Sequence, residues 1–145
     1  MLTEKDYCDY ETCVALKELE FNEPTLAYYN GFLPSKPLQY LVIDEDCMPE
    51  DGVNVFDLLS NSNKYKDSKN IDAPTLYEAQ KWLREEKGVI VEVFVDDDSD
   101  TPITYNIYKD GECVCHHHGM YWSVKEWNVV LAEGIKEAVK ILKEE

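Results

Sequence analysis

A chain of 145 residues has the length of one ordinary domain, and its 44% hydrophobic residues suffice for a packed core, which excludes a chain disordered throughout. Its 30 acidic and 14 basic residues give a formal net charge of −16, which repels nucleic-acid phosphates and anionic membranes and argues against direct binding to either. The chain has no apolar run near the ~20 residues of a membrane helix, and its first residues lack the basic and apolar regions of a signal peptide, so we expect a cytoplasmic protein.

The first predicted element is a helix over residues 9–20. Asp9 precedes it at the N-cap position, where a side-chain oxygen accepts a backbone amide of the first turn. Apolar side chains then recur at helical spacing, at Tyr10, Cys13, Leu16 and Leu19. This stripe predicts that one side of the helix packs against a core.

The segment that follows is predicted to hold little regular structure. Short strands are indicated at 25–29 and 38–43, while 53–59 fits a strand or a helix equally well. Residues 60–72 are polar and predict a mobile loop. We predict one domain over 1–145, because neither half of the chain has the pattern of a unit that buries its own apolar residues.

The second predicted helix covers 75–87 and has the clearest local signals. Thr75 and Glu78 have the spacing of a capping box, in which each side chain bonds the other residue's backbone amide. Gly88 ends the helix, because glycine adopts the left-handed conformation of a C-terminal cap. The apolar stripe comprises Leu76, Ala79, Trp82 and Leu83.

A three-stranded antiparallel sheet is predicted over 89–118, with an acidic turn after the first strand. Asp110-Gly111 predicts a two-residue hairpin turn, which sets Lys109 opposite Glu112. The same register pairs Ile107 with Val114, Tyr105 with His116 and Ile103 with His118.

The last predicted helix covers 123–143, with Ser123 and Glu126 as a second capping box. Its apolar stripe contains Trp127, Leu131, Gly134, Ile135, Ala138, Ile141 and Leu142. Gly134 on this stripe indicates a close approach of the sheet or of another helix. Helices flanking an antiparallel sheet predict a two-layer α+β fold.

Several stretches resemble a known group of proteins, residues 16–19, 21–24 and 132–135 among them. Residues 73–85, Ala-Pro-Thr-Leu-Tyr-Glu-Ala-Gln-Lys-Trp-Leu-Arg-Glu, followed by Lys87-Gly88, resemble a motif in small uncharacterised proteins of Bacteroides-group gut bacteria and their phages. In that group a glycine often stands where this chain has Glu20, so the first helix is expected to end differently here. The resemblance implies an accessory protein of a mobile element and transfers no activity.

The stretch Cys113-Val114-Cys115-His116-His117-His118 contains the side chains that bind zinc. On a regular strand Cys113, Cys115 and His117 point to one side, but neighbours two residues apart lie about 6.5–7 Å from each other, so the strand would have to bend around a metal. The alternative is a partly buried strand that uses cysteine as a small apolar residue. The five cysteines of the chain are expected to be reduced thiols, and no cofactor is predicted.

The sequence carries no recognised catalytic motif, so we predict a non-enzymatic domain that binds another protein or a second copy of itself. The second face of the predicted sheet mixes aromatic and polar residues. Phe94 and Tyr108 are its candidate interface residues, if the N-terminal half does not cover them. The alternatives are a small enzyme or metal protein that uses strand 113–118, and an acidic mimic of nucleic acid.

Overall fold

The computed structural model of the chain describes residues 2–40, 62–65, 67–96, 103–116 and 124–145. It has the predicted α+β architecture, with helices and two antiparallel three-stranded sheets. The chain divides into two compact units. The N-terminal unit is Asp9–Pro74, and the C-terminal unit combines Met1–Cys8 with Thr75–Glu145. The single-domain organisation stays a prediction.

Helix α1 of the N-terminal unit spans Tyr10–Glu18. The predicted N-cap is confirmed, since the Asp9 carboxylate accepts the Thr12 amide at 2.8 Å. The helix ends two residues before the predicted position, at a left-handed Glu20 with φ of 74°. The amides of Glu20 and Phe21 return to the carbonyls of Lys17 and Leu16, each at 2.9 Å. This is a Schellman C-cap, with glutamate where glycine is usual.

Strands β1 (Ala27–Tyr29), β2 (Leu38–Tyr40) and β3 (Ile71–Ala73) form the sheet of this unit in the order β2-β1-β3. The strands predicted at 25–29 and 38–43 are therefore present and shorter, with 41–43 outside the described residues. The undecided segment 53–59 also lies outside them. Tyr28 lies opposite Gln39 on one side and Asp72 on the other.

The predicted loop over 60–72 is wrong at its end, because Ile71 and Asp72 are buried in β3. Hydrogen bonds of the buried Asn63 explain why this end of the segment is ordered. Asn63, in a 3-10 turn at Ser62–Lys64, donates its backbone amide to the Asp72 carboxylate at 2.9 Å and accepts the Asp72 amide at 3.1 Å. Its side-chain nitrogen donates to the Phe21 carbonyl at 2.9 Å. The polar groups of Asn63 and Asp72 are thus hydrogen-bonded inside the protein.

In the C-terminal unit, helix α2 spans Leu76–Lys87. Both bonds of the predicted capping box are present, from the Glu78 amide to Thr75 Oγ1 at 3.1 Å and from the Thr75 amide to Glu78 Oε1 at 3.0 Å. Gly88 takes the left-handed cap conformation, with φ of 66°. The chain start belongs to the same unit, since Tyr7 bridges to Thr75 and Asn128 donates to Asp6 Oδ1 at 2.7 Å.

Strands β4 (Val89–Val95), β5 (Ile103–Lys109) and β6 (Glu112–His116) form the predicted antiparallel sheet. The two-residue turn is confirmed, because Asp110 and Gly111 have φ of 51° and 85° and Lys109 lies opposite Glu112. Gln80 of α2 donates to the Val91 carbonyl at 2.7 Å and so covers part of the outer edge of β4.

The register beyond the turn is corrected by a β-bulge. Tyr108 lies opposite Cys113, but Ile107 then lies opposite Cys115 and Asn106 opposite His116, which makes Val114 the extra residue. The predicted pairs Ile107–Val114 and Tyr105–His116 are therefore wrong. His118, predicted to pair with Ile103, lies outside the described residues. A turn fixes the register only up to the first irregularity, and nothing in the sequence marks Val114 as one.

Helix α3 spans Trp127–Lys143 and follows a 3-10 turn at Val124–Glu126, so it begins later than predicted. Ser123, the predicted cap, lies outside the described residues. The predicted close approach at Gly134 is confirmed, since a Cβ there would lie 2.6 Å from Val91 Cγ1 and 3.3 Å from Tyr105 Cγ. The predicted stripe is shifted at its edges. Val130 and Val139 are buried, whereas Trp127, Ile141 and Leu142 are only half-buried.

None of the helices in the described part of the chain is both long and apolar enough to cross a membrane.

Candidate interaction face

The sheet of the C-terminal unit has two unlike faces. Helices α2 and α3 pack on the face that carries Val89, Val91 and Ile107, which are fully buried. We call the opposite side the second face. Alternation along the strands and the observed register place eight side chains on it: Ile90, Glu92, Phe94, Thr104, Asn106, Tyr108, Cys113 and His116.

The second face is buried at its centre and open at its rim. Thr104 and Asn106 on the central strand are buried, whereas Ile90 on β4 is 44% exposed and Glu92 is exposed. Phe94 and Tyr108, the predicted interface residues, share this face and are half-buried. The rim therefore exposes apolar area within reach of a second molecule.

Apolar and polar pairs alternate across β4 and β5. Ile90 lies opposite Tyr108, and Phe94 lies opposite Thr104. The polar pair Glu92–Asn106 lies between them. Since Thr104 and Tyr108 are four residues apart on one strand, the two aromatic positions are separated by about 13 Å. Two apolar contact points thus flank a hydrogen-bonding centre.

A hydrogen-bond chain orients that centre. Asn106 Nδ2 donates to the Tyr108 hydroxyl at 3.3 Å, and Asn106 Oδ1 bonds His116 Nδ1. The Asn106 amide thus bonds a neighbour with each end, Tyr108 with its nitrogen and His116 with its oxygen. The sequence did not predict His116 here, because the regular register places it opposite Tyr105 on the other face. Only the bulge brings it to Asn106.

The bulge also separates the two cysteines of β6. Cys113, opposite Tyr108, is exposed on the second face, whereas Cys115 lies opposite Ile107 on the face that the helices cover. The prediction that both share a face is therefore wrong for this pair. Burial, and then the charges of Glu137 and Cys113, raise the pKa of the Cys115 thiol. Zinc binds the thiolate, so this environment disfavours the ligand form.

Tyr105 lies on the same face as Cys115 and in the same environment. Burial, followed by Cys115, Glu137 and Glu133, raises its pKa to about 12. His117, the third metal candidate, lies outside the described residues. Within the described ranges, no group of three or more His, Cys, Asp or Glu side chains is arranged to hold a metal ion. The described side chains of the second face therefore provide apolar contacts and hydrogen bonds.

The N-terminal unit contains a separate cleft of about 770 Å³. Lys17 and Lys64 line it together with Glu18 and Glu20, so charges of both signs meet there. Lys17 Nζ already donates to the Ser68 carbonyl at 3.0 Å. The cleft therefore shows no preference for the charge of a ligand. The sequence did not indicate this cleft, because the polar residues 60–72 predict an open loop.

Comparisons of the chain with protein-family models, curated proteins and solved structures find no match. Function is therefore inferred from the geometry of the second face.

Proposed function

We propose that the chain is a non-enzymatic interaction domain that binds a partner protein through the second face, with Phe94 and Tyr108 as its anchors. The observation that carries the proposal is the half-buried aromatic pair on a rim where Ile90 is 44% exposed. Aromatic side chains among hydrogen-bonding groups are enriched at protein interfaces. Oriented groups such as Asn106 and His116 add direction to such a contact.

The charges beside the anchors favour a basic partner. Glu92 lies two residues before Phe94 on the second face, Asp96 directly follows β4, and the sequence continues with Asp97, Asp98 and Asp100. Lysine or arginine side chains on the partner would meet these carboxylates and accelerate association. The overall charge of −16 acts in the same direction.

The exposed thiol supports binding in preference to catalysis. Cys113 Sγ donates to the carbonyl of Cys115 at 3.6 Å, a backbone contact that does not activate a nucleophile. We further propose that the protein acts in the cytoplasm as an accessory factor of a phage or other mobile element. The resemblance of residues 73–88 to small Bacteroides-group and phage proteins supports this part of the proposal.

The test compares three purified proteins: the parent, a Phe94→Ser/Tyr108→Ser variant, and a Val129→Ser control. Val129 is 49% exposed on α3, away from the second face, and so controls for the loss of an exposed apolar side chain elsewhere. Sedimentation measures self-association, and affinity capture from a Bacteroides-group host extract identifies a foreign partner, whose direct binding is then measured with purified components.

We expect the double variant to fold but to lose association, while the control keeps both. Unfolding of the double variant would show that the face is internal core and would refute the interface. Unchanged association of a folded double variant would identify the second face as an idle surface.

A further inference from the structure

We propose a second interaction surface, on the N-terminal unit, that binds a short acidic peptide segment with an apolar side chain between its carboxylates. The surface, called here the Phe32 patch, comprises Tyr10, Phe32, Leu33, Lys36 and Lys69. It rests on contacts within the N-terminal unit and is independent of the second face.

Two neighbouring apolar side chains of the patch are turned to solvent. Phe32 is 68% exposed and Leu33 is 46% exposed, in the connection between β1 and β2. A single exposed apolar residue is ordinary on a protein surface. An adjacent pair at the tip of one connection forms a contact point large enough to bury an apolar side chain of a partner.

The connection is fixed by its own hydrogen bonds. The Phe32 amide donates to Asn30 Oδ1 at 3.0 Å, and the Lys36 amide donates to the Leu33 carbonyl at 3.0 Å. Gly31 packs directly on the neighbouring backbone, since a Cβ there would lie 1.8 Å from the Lys69 carbonyl oxygen. Phe32 and Leu33 are thus presented on ordered backbone, which lowers the entropy lost when a partner binds.

Two lysines lie over aromatic rings of the Phe32 patch. Lys69 Nζ lies 5.8 Å from the centroid of the Phe32 ring, and Lys36 Nζ lies 5.6 Å from that of Tyr10. Cation–π contacts hold an ammonium in place while its other side stays available to an acceptor. Tyr10 in turn packs edge-on against Tyr29 of β1, with ring centroids 5.6 Å apart. One ammonium group is therefore placed beside the Phe32 ring, and the other, on the residue whose amide bonds the Leu33 carbonyl, beside the Tyr10 ring.

Carboxylates on both sides of an apolar residue complement this arrangement. A single-stranded nucleic acid fits less well, because the net charge of −16 repels the phosphate of every nucleotide. A peptide with two carboxylates meets far less repulsion. The structure thus favours an acidic peptide over a single-stranded nucleic acid, although both could use an exposed aromatic ring.

The probe is an array of short blocked peptides in which Asp or Glu stands on both sides of Leu, Phe or Trp, beside an array with Asn and Gln in their place. Binding of the best acidic peptide is then measured by fluorescence anisotropy at low and high salt. The variants are Phe32→Ser, Lys36→Gln/Lys69→Gln and the Val129→Ser control, each checked for thermal unfolding.

We expect the acidic peptide to bind and its amide counterpart to bind at least about tenfold more weakly. Phe32→Ser should weaken binding about tenfold or more, and the lysine double variant about three- to tenfold, with a flatter salt dependence. The Val129→Ser control should bind as the parent does. The Phe94→Ser/Tyr108→Ser variant should also bind normally, which separates this surface from the proposed function.

Three outcomes would overturn the proposal: no acidic peptide preferred over its amide counterpart, unchanged binding in the lysine double variant, or tighter binding of an oligothymidylate than of any acidic peptide. If Phe32→Ser does not fold, the lysine variant still decides the question, because both ammonium groups lie at the protein surface.

Discussion

Gly134 lies where α3 crosses β4 and β5, and its missing side chain sets the distance between helix and sheet. Replacement by alanine should gain about 1 kcal/mol of helix propensity but cost about 1–3 kcal/mol through overpacking. The cost should win, because the new methyl would lie 2.6 Å from Val91 Cγ1 on a stiff β-branched side chain. We therefore expect Gly134→Ala to lower the free energy of unfolding in urea by about 1 kcal/mol.

A second substitution separates the two effects. Val91→Ala removes the methyl group that the new side chain would meet. In that background Gly134→Ala should be clearly less destabilising than in the parent, because the 2.6 Å contact is gone and only the 3.3 Å contact with Tyr105 Cγ still opposes the propensity gain. Stabilisation by Gly134→Ala in the parent chain would contradict the close approach.

Glu20 is a glutamate in a position that favours glycine. At φ of 74° a Cβ meets the backbone, which costs about 1–2 kcal/mol, whereas glycine avoids this and pays a smaller entropy term in the unfolded chain. Glu20→Gly should therefore raise the free energy of unfolding by about 0.5–1 kcal/mol. Glu18→Gly, at the last residue of α1, is the matched control and should lower it by up to about 1 kcal/mol. Equal effects of the two changes would refute the C-cap.

At the scale of elements, sequence prediction succeeded where the determinants are local. The Thr75–Glu78 box, Gly88 and the Asp110-Gly111 turn each act within a few residues, and α2 and the β5–β6 turn are as predicted. Strand β3 was missed because its stability depends on Asn63 and on pairing with β1, both distant in sequence. A polar pattern cannot show that its hydrogen bonds are made internally.

The second face was predicted only in part for the same reason. Phe94 and Tyr108 share a face because alternation along a regular strand is a local rule. His116 and Cys115 depend on the bulge at Val114, and a single extra residue moves every later side chain to the other face. The predicted residues on β4 and β5 are therefore correct, and the change is confined to β6.

The bulge predicts unequal reactivity of neighbouring thiols. Cys113 is exposed, whereas burial and Glu137 raise the pKa of Cys115, so less of it is thiolate at pH 8. Iodoacetamide should label Cys113 before Cys115 in the folded protein, and the buried Cys8 and Cys13 only after unfolding, as followed by peptide mass spectrometry. Equal labelling of Cys113 and Cys115 would place them in one environment and contradict the bulge.

Unreduced, unfolded protein should titrate as five thiols, because the described cysteines, Cys47 not among them, form no disulfide.

At the scale of the whole molecule the dominant feature is charge. A net charge of −16 on 145 residues produces electrostatic repulsion that is stronger in the compact folded state than in the unfolded chain. Two ion pairs among the described residues oppose it weakly. Lys109–Glu145 and Lys136–Glu133 lie at the surface, where such pairs contribute about 0–1 kcal/mol.

Salt should therefore stabilise the protein. The Debye length falls from about 30 Å at 0.01 M ionic strength to about 10 Å at 0.1 M, so distant like charges are screened before close ion pairs are. We expect Tm to rise by several degrees over this range in NaCl and to level off above it, because the remaining interactions are shorter than the screening length. Sucrose at matched osmolality serves as the control for solvent exclusion and should not reproduce the early rise. A Tm that falls with added NaCl would mean that attractive pairs outweigh the repulsion, and the acidic surface would then be a balanced network and not a field available to a basic partner.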